Sequence, residues 1–390
     1  MKKSSFARVV SACAAALALS LAGATVASAE PNPLPTPGNA ASYRTYSAVG
    51  SDTIQDVWNG LSNGTGASVS SVASWNAFPS TLSSTIQTRN GGPTFLRPRG
   101  SGAGVKALSA SYHAPFTYDN GAGGVVNIQK QVQFARSSSG PAAAATGQLQ
   151  YVPFARDAVS IAYQSGTATS GTPKFSKAQL NAIFSCSASA DGVIGVTADG
   201  FPKINASNKV LKPQLPQASS GTRSFFINAI GLSSIGSCVV QGAPENDGTA
   251  LTAVGAVIPF SVAQWIAQKN SSSTGVTNTV SNTGLRIANL INGADTQTAV
   301  TTVNGVLKPG TLYGSATAVP DSTVNPLARD TYNVVDASTI RTDGTKSGLE
   351  TTLTTSLATS AAKQTITKYG FLNLSYLGDR SFYRNGAYTN

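Results

Sequence analysis

The stretch Tyr43-Arg44-Thr45-Tyr46-Ser47-Ala48-Val49-Gly50-Ser51-Asp52-Thr53-Ile54-Gln55-Asp56-Val57-Trp58-Asn59-Gly60-Leu61 decides how this chain is read. Tyr43 to Val49 is a short extended run that predicts a strand. Gly50-Ser51-Asp52-Thr53 is a small polar turn. Ile54, Val57, Trp58 and Leu61 then recur at i, i+3, i+4 and i+7, the period of a helix face. Ser, Asp and Thr at the junction are the residue types that cap helix N-termini. The unit is therefore strand, hydroxyl-bearing turn, amphipathic helix.

The unit recurs downstream. Phe95-Leu96-Arg97-Pro98-Arg99 leads into Gly100-Ser101-Gly102-Ala103-Gly104, then Val105 and Leu108. Val210 to Leu215 leads into Ser219-Ser220-Gly221-Thr222, and Phe225, Phe226, Ala229 and Ile230 mark the next helix face. Another helix is predicted from Ser176, with Leu180, Ile183 and Phe184 on one side. Strands alternating with helices predict an α/β fold with largely parallel pairing. No fixed-period repeat is visible, which disfavours a solenoid. Residues 270–325, rich in Thr, Asn, Ser and Gly, read only as loops and short strands.

Composition narrows the function. With 390 residues and 41% hydrophobic content the chain can build two lobes, each with a core. Only 11% of residues are charged, and the +11 net charge is scattered rather than gathered in a stripe, so nucleic acid is not an expected partner. The single histidine, His113, leaves no material for a His-rich metal site and makes any Ser-His-Asp triad depend on that residue. It reads as a loop residue, and Trp58, Trp75 and Trp265 read as core. No metal and no cofactor are expected.

Lys2, Lys3 and Arg8 precede an apolar run from Val9 to Val26, followed by Ala27-Ser28-Ala29. This pattern is a secretory signal, cleaved after Ala29. Its removal takes three basic residues and no acidic one, leaving +8. Val10-Ser11-Ala12-Cys13 resembles a lipoprotein box, but the apolar run follows Cys13 where it should precede it, so lipid attachment is not expected. Export leaves Cys186 and Cys238 in an oxidising compartment, where one bridge is expected. Two separate thiols are the alternative.

The glycine–hydroxyl turns point to an anion. A helix N-terminus presents unpaired N–H groups and a positive dipole end. Small residues let an anion approach those groups, and Ser and Thr add uncharged donors. One such turn is an ordinary cap. Several, each between strand and helix, gather at the crevice where strands of an open α/β sheet end. Val132 to Gly140 adds Arg136, Ser137, Ser138 and Ser139 after a strand-like run, and arginine suits bidentate oxyanion contacts. The Rossmann and Walker A patterns are absent.

Taken together, these segments resemble the phosphate-binding component of phosphate ABC transporters (PstS-like), most closely of actinobacterial type. The residues that carry the resemblance are Val49 to Thr53, Arg99 to Gly104, Phe134 to Ser139, Tyr151 to Asp157, Ser219 to Phe226 and Ile258 to Ile266. The resemblance implies a type II periplasmic-binding-protein fold, two α/β lobes joined by crossover strands with ligand in the cleft. It also implies delivery of inorganic phosphate or a related oxyanion to an ABC permease. Matched position by position, the family's loops fall on Asp52 and Thr53, on Ser101 with Gly102, on Ser138, and on Ser220, Gly221 and Thr222; the candidate ligand-binding set adds Ser51, Arg99, Arg136, Ser137 and Arg223. Two positions depart from the family. Ser138 stands where the third loop carries an aspartate, and Leu215-Pro216-Gln217 stands where an arginine precedes Ser-Gly-Thr. Arg136, Arg223 and Asp52 are the substitutes at hand.

The expected organisation is a signal peptide at 1–29, a flexible leader at 30–41, lobe one at 42–156 and 328–390, and lobe two at 157–327. Tyr151 to Tyr163 and Arg329 to Val335 would be the crossovers. A secreted or cell-surface, monomeric, non-enzymatic binding protein is expected. The rival classes are a secreted phosphatase-like hydrolase and a surface or interaction protein that keeps the fold without transport.

Overall fold

The computed structural model describes residues 30–389 apart from 65, 80, 143–146, 168–170, 189–192 and 205–208, so the signal segment lies outside the described residues. The first unit is β1 (Tyr46–Gly50) and α1 (Gln55–Ser62), followed by β2 (Val72–Ser74), α2 (Ser101–Tyr112) and β3 (Phe134–Ser137). The long β4 (Leu149–Gln164) follows, then α3 (Lys177–Ser185), β5 (Lys212–Pro216), α4 (Gly221–Ala229) and β6 (Val240–Ala243). Then come β7 (Ala256–Ser261), α5 (Val262–Lys269) and β8 (Ala328–Asp336).

These strands lie in one eleven-stranded sheet, in the order β6-β5-β7-β4-β8-β3-β1-β2. β3, β1 and β2 run parallel, as do β6, β5 and β7. Between these halves β4 and β8 pair antiparallel to each other and to their outer neighbours. A strand rises roughly 3.3 Å per residue, so the sixteen residues of β4 extend far enough to pass from one half into the other. Its residues are buried all along except at Gln150, which is why it reads as an almost continuous apolar run rather than an alternation. The sheet thus has two parallel halves joined by antiparallel crossover strands.

The core divides accordingly. One cluster draws on residues between Ala158 and Leu327, including Phe175, Phe184, Phe226, Phe260 and Trp265. Two more lie in the other half. The first centres on Trp58, which packs on Phe134 at 5.0 Å and Phe154 at 5.6 Å. The second gathers Phe95, Leu108, Tyr118 and Val334. Helix α5 serves both halves, because Ala263 and Ala267 enter the Trp58 cluster while Val262, Trp265 and Ile266 enter the opposite one.

Cys186 and Cys238 form a disulfide across 52 positions. It ties the C-terminal cap of α3 to the segment before β6. Residues 30–41, expected as a flexible leader, are anchored at their start. Glu30 pairs with Arg97 at 2.7 Å and accepts from the Asn76 amide, so an acid adjoining the expected cleavage point is held by a buried guanidinium. Between 285 and 309 the unresolved reading sharpens into five short strands, Leu285–Ile287 to Val306–Pro309. Among the described residues no helix is long and apolar enough to cross a membrane.

Candidate functional site

Five loops meet where the parallel strands end. Ser51-Asp52-Thr53 follows β1, Ser138 follows β3, Ser219-Ser220 follows β5, Glu245-Asn246 follows β6, and Ser261 closes β7. The start of α2 joins them, because Gly50 and Arg99 form a parallel bridge. Two glycines permit that approach. A Cβ on Gly104 would lie 2.6 Å from the Gly50 Cα, and Gly50 itself has φ of 109°. Any side chain there would push α2 away from the first loop.

Hydroxyls from both halves converge at this point. The Ser101 and Ser138 Oγ atoms are 3.2 Å apart, and Ser101 Oγ also accepts from the Ser138 amide. Gly221, the first residue of α4, sits directly on them, since a Cβ there would be 2.3 Å from Ser101 Oγ and 2.5 Å from Ser138 Oγ. Thr222 Oγ1 is 3.3 Å from Thr53 Oγ1. Ser220 spends its hydroxyl capping α4 through the Arg223 amide, and Ser137 donates to the Ser139 carbonyl. Gly102 donates its amide to the Ser219 carbonyl, so the two halves touch backbone to backbone.

The three arginines named from the sequence are committed elsewhere. Arg136 is fully buried and lies across the ends of β1 and β2. Its guanidinium donates to the carbonyls of Ala48, Gly50, Ser51 and Trp75 and to Ser74 Oγ. Arg99 serves the carbonyls of Ala77, Pro79 and Leu82 and stacks over Phe78. Arg223 bonds the Pro216 carbonyl and Gln241. In each case the guanidinium donors are spent on backbone carbonyls at strand ends or in loops.

The cation that does reach the hydroxyls is Arg329, from the crossover strand β8. It stands in register with Asp157 on β4, as Asp330 does with Arg156. The two pairs point to different places. Arg156 binds Asp330 at 2.8 Å and turns its remaining donors onto the carbonyls of Tyr313, Ser315 and Ala318 and the Tyr376 hydroxyl. Arg329 donates through Nε and Nη2 to Asp157 Oδ2, and Nη2 also reaches Thr222 Oγ1 at 3.0 Å. Its Nη1 is buried with no partner. Asp157 is held in turn by the Ser261 hydroxyl and the Ala263 amide. Sequence reading placed Arg329 in a crossover without a ligand role. The signal available was the repeated Arg-Asp dipeptide, at 156–157 and 329–330, inside apolar strands where unpaired charges are costly.

On the other side of Thr53 lies an acidic group. Asp52 Oδ2 accepts from Asn246 Nδ2 at 2.8 Å, while Oδ1 is buried without a partner, as is Ser51 Oγ. Glu245 lies 3.5 Å from the Thr53 hydroxyl and 3.3 Å from Gln217. Burial, then the charge of Glu245, push the Asp52 carboxyl well above the ordinary carboxylate range. Burial likewise raises Asp56 to about 6, against the hydrogen bond from Gln264. Asp52 can therefore stay protonated beside an anion, and in that form it donates as well as accepts. His113 stacks on Tyr388, 4.7 Å between ring centres.

No family model matches the sequence, and no curated protein matches it. Solved structures do. An ABC-type phosphate transport receptor from Vibrio cholerae is 14% identical, with a TM-score of 0.46 over 84% of this chain and 99% of that one. A phosphate-binding protein from Stenotrophomonas maltophilia is 16% identical, with a TM-score of 0.45 over 86% and 92%. A human phosphate-binding apolipoprotein is 16% identical, with a TM-score of 0.48 over 84% and 91%. All three of these are named for phosphate, one of them as a transport receptor.

Proposed function

We propose that this chain is an exported, monomeric solute-binding protein that captures inorganic phosphate or a closely related oxyanion between its lobes and delivers it to an ABC permease. The observation that carries the reading is Arg329. A guanidinium 2% exposed has one nitrogen unpartnered and another on Thr222, whose hydroxyl meets that of Thr53 and whose neighbour Gly221 sits on Ser101 and Ser138. A buried charged donor left unmade costs several kcal/mol. A tetrahedral oxyanion supplies acceptors to all of these groups at once.

Each part has a role in such a site. Arg329 neutralises the anion and presents a planar fork. The N-terminus of α4 adds dipole and amide donors from a backbone that Gly221 keeps within reach. Asp52, kept protonated at the edge of the site, sets no negative charge against the anion. The structure has Gly102 already against Ser219, so hinge opening at that contact would admit the anion and reclosure would bury it. Cleavage after Ala29 and release to the cell exterior or surface belong to the same reading.

The experiment is a thermal melt of the protein with and without phosphate, repeated on Arg329→Lys. The wild type is expected to gain stability with phosphate, by about 2.7 kcal/mol at a hundredfold excess over Kd. The variant keeps a cation for Asp157 but loses the fork, and much of that gain disappears. A melt indifferent to phosphate in the wild type would favour a surface protein that has lost the ligand.

A further inference from the structure

Next to the oxyanion cluster lies a cavity of about 480 Å³ that a single tetrahedral anion would leave largely unfilled. This size is typical of small-molecule pockets, about 300–1,000 Å³. Its walls are of two kinds. Phe78, Pro79, Pro244 and Val276 offer apolar faces, while Asp52, Asp56, Glu245 and Asp247 offer carboxyl groups. Arg99, on the same wall, is turned onto backbone carbonyls.

The cavity and the oxyanion cluster share the Asp52–Thr53 loop. Thr53 Oγ1 meets Thr222 on the oxyanion side and Glu245 on the cavity side. Asp52 lines the cavity, is 4% exposed, and has an unpartnered Oδ1. Glu245, also 4% exposed, adjoins the Asp52 carboxyl and otherwise has only long contacts, at 3.3 and 3.5 Å. Carboxyl groups with open lone pairs, buried beside carbon-lined walls, call for a ligand that carries hydrogen-bond donors on a carbon frame. A bare oxyanion in that space would meet like charge.

We infer that the ligand is a phosphomonoester whose organic part carries hydroxyl or ammonium donors, its phosphate on Arg329 and the hydroxyl cluster and its donors on Asp52, Glu245 and Asp56. The inference rests on the oxyanion reading above and specifies its substrate class. Hydroxyl-bearing and ammonium-bearing esters share the chemistry of recognition, and separate titrations distinguish them.

The test is calorimetric titration of the protein with inorganic phosphate, methyl phosphate, glycerol 1-phosphate and O-phosphoethanolamine. Glycerol phosphate or phosphoethanolamine is expected to bind at least ten times more tightly than methyl phosphate and inorganic phosphate. Two variants then locate the gain. Thr277→Trp, an exposed cavity-edge position, should block the organic part without changing the Kd for inorganic phosphate, and Asp56→Ala should remove an acceptor and weaken the esters. Inorganic phosphate binding as tightly as every ester, or a gain that survives both variants, would overturn the inference and leave the oxyanion reading standing. No binding by any of the four compounds would overturn both.

Discussion

Arg329 and Asp157 stand opposite each other on neighbouring strands, buried, and only one of them has all its partners. Three predictions belong to this scale. Arg329→Lys should lower phosphate affinity about 10–150-fold, the loss expected for a charged hydrogen bond, with little change in melting temperature. Arg329→Ala should instead destabilise the protein by about 3–5 kcal/mol in urea melts, because Asp157 is left as an uncompensated buried charge. Gly221→Ala should abolish phosphate binding in calorimetry, since its methyl would occupy the space of the Ser101 and Ser138 hydroxyls. Ser101, Ser138 and Gly221 could be singled out in the sequence because small and hydroxyl residues at helix starts have a local signature. Arg329 could not, because its placement depends on strand register between residues 172 positions apart. Arg136, bonded to four backbone carbonyls and Ser74, shows a related limit. Sequence gives a cation near a loop, but not the carbonyls on which it folds back.

Elements were more legible than side-chain contacts. The helix starts at Ser176, Ser220 and Ser261 carry side-chain caps, and at Ser176 the reciprocal bond from Gln179 completes a capping box. Such local motifs are readable from a few consecutive residues. The short strands between 285 and 309 were not, since exposed two-sided pairs such as Val300–Val303 with Val306–Pro309 need no apolar alternation. Nor were Leu372–Asn373 and Arg384–Gly386, whose partner β4 lies far upstream. The disulfide was anticipated from cysteine count and compartment. Replacing both cysteines by Ser should cost about 4 kcal/mol on the chain-entropy account, measured as a lower urea midpoint. On α1, Asp56 gives a pH signature. Its carboxyl titrates near 6 in the fold and near 4 when unfolded. The native state therefore holds more protons between those values, so this group's contribution to stability is lost as pH rises from about 4 to 6. Asp56→Asn should flatten that slope in denaturant melts across the window.

At the scale of the molecule, the two crossover strands and helix α5 both join the halves. α5 donates from Gln264 Nε2 to the carbonyls of Asp52 and Thr53, so the first loop is fixed to the helix that follows β7. The contact of Gly102 with Ser219 closes the opposite lip. The alternation of strands and helices was enough to read α/β units, while the expectation of two lobes came from chain length and the family resemblance. That α5 feeds both cores was not readable, because its eight residues carry apolar side chains on two faces and the sequence does not say which face meets which lobe. The modest positive charge left after the expected cleavage suits a small anion, adding a weak attractive field rather than a polyanion track. The most direct measurement is calorimetric titration of the protein with phosphate, with sulfate alongside. The account predicts one site per chain with saturable heat for phosphate, weakened at least tenfold in Arg329→Lys. Absence of heat together with an unchanged melting temperature for both anions would contradict it.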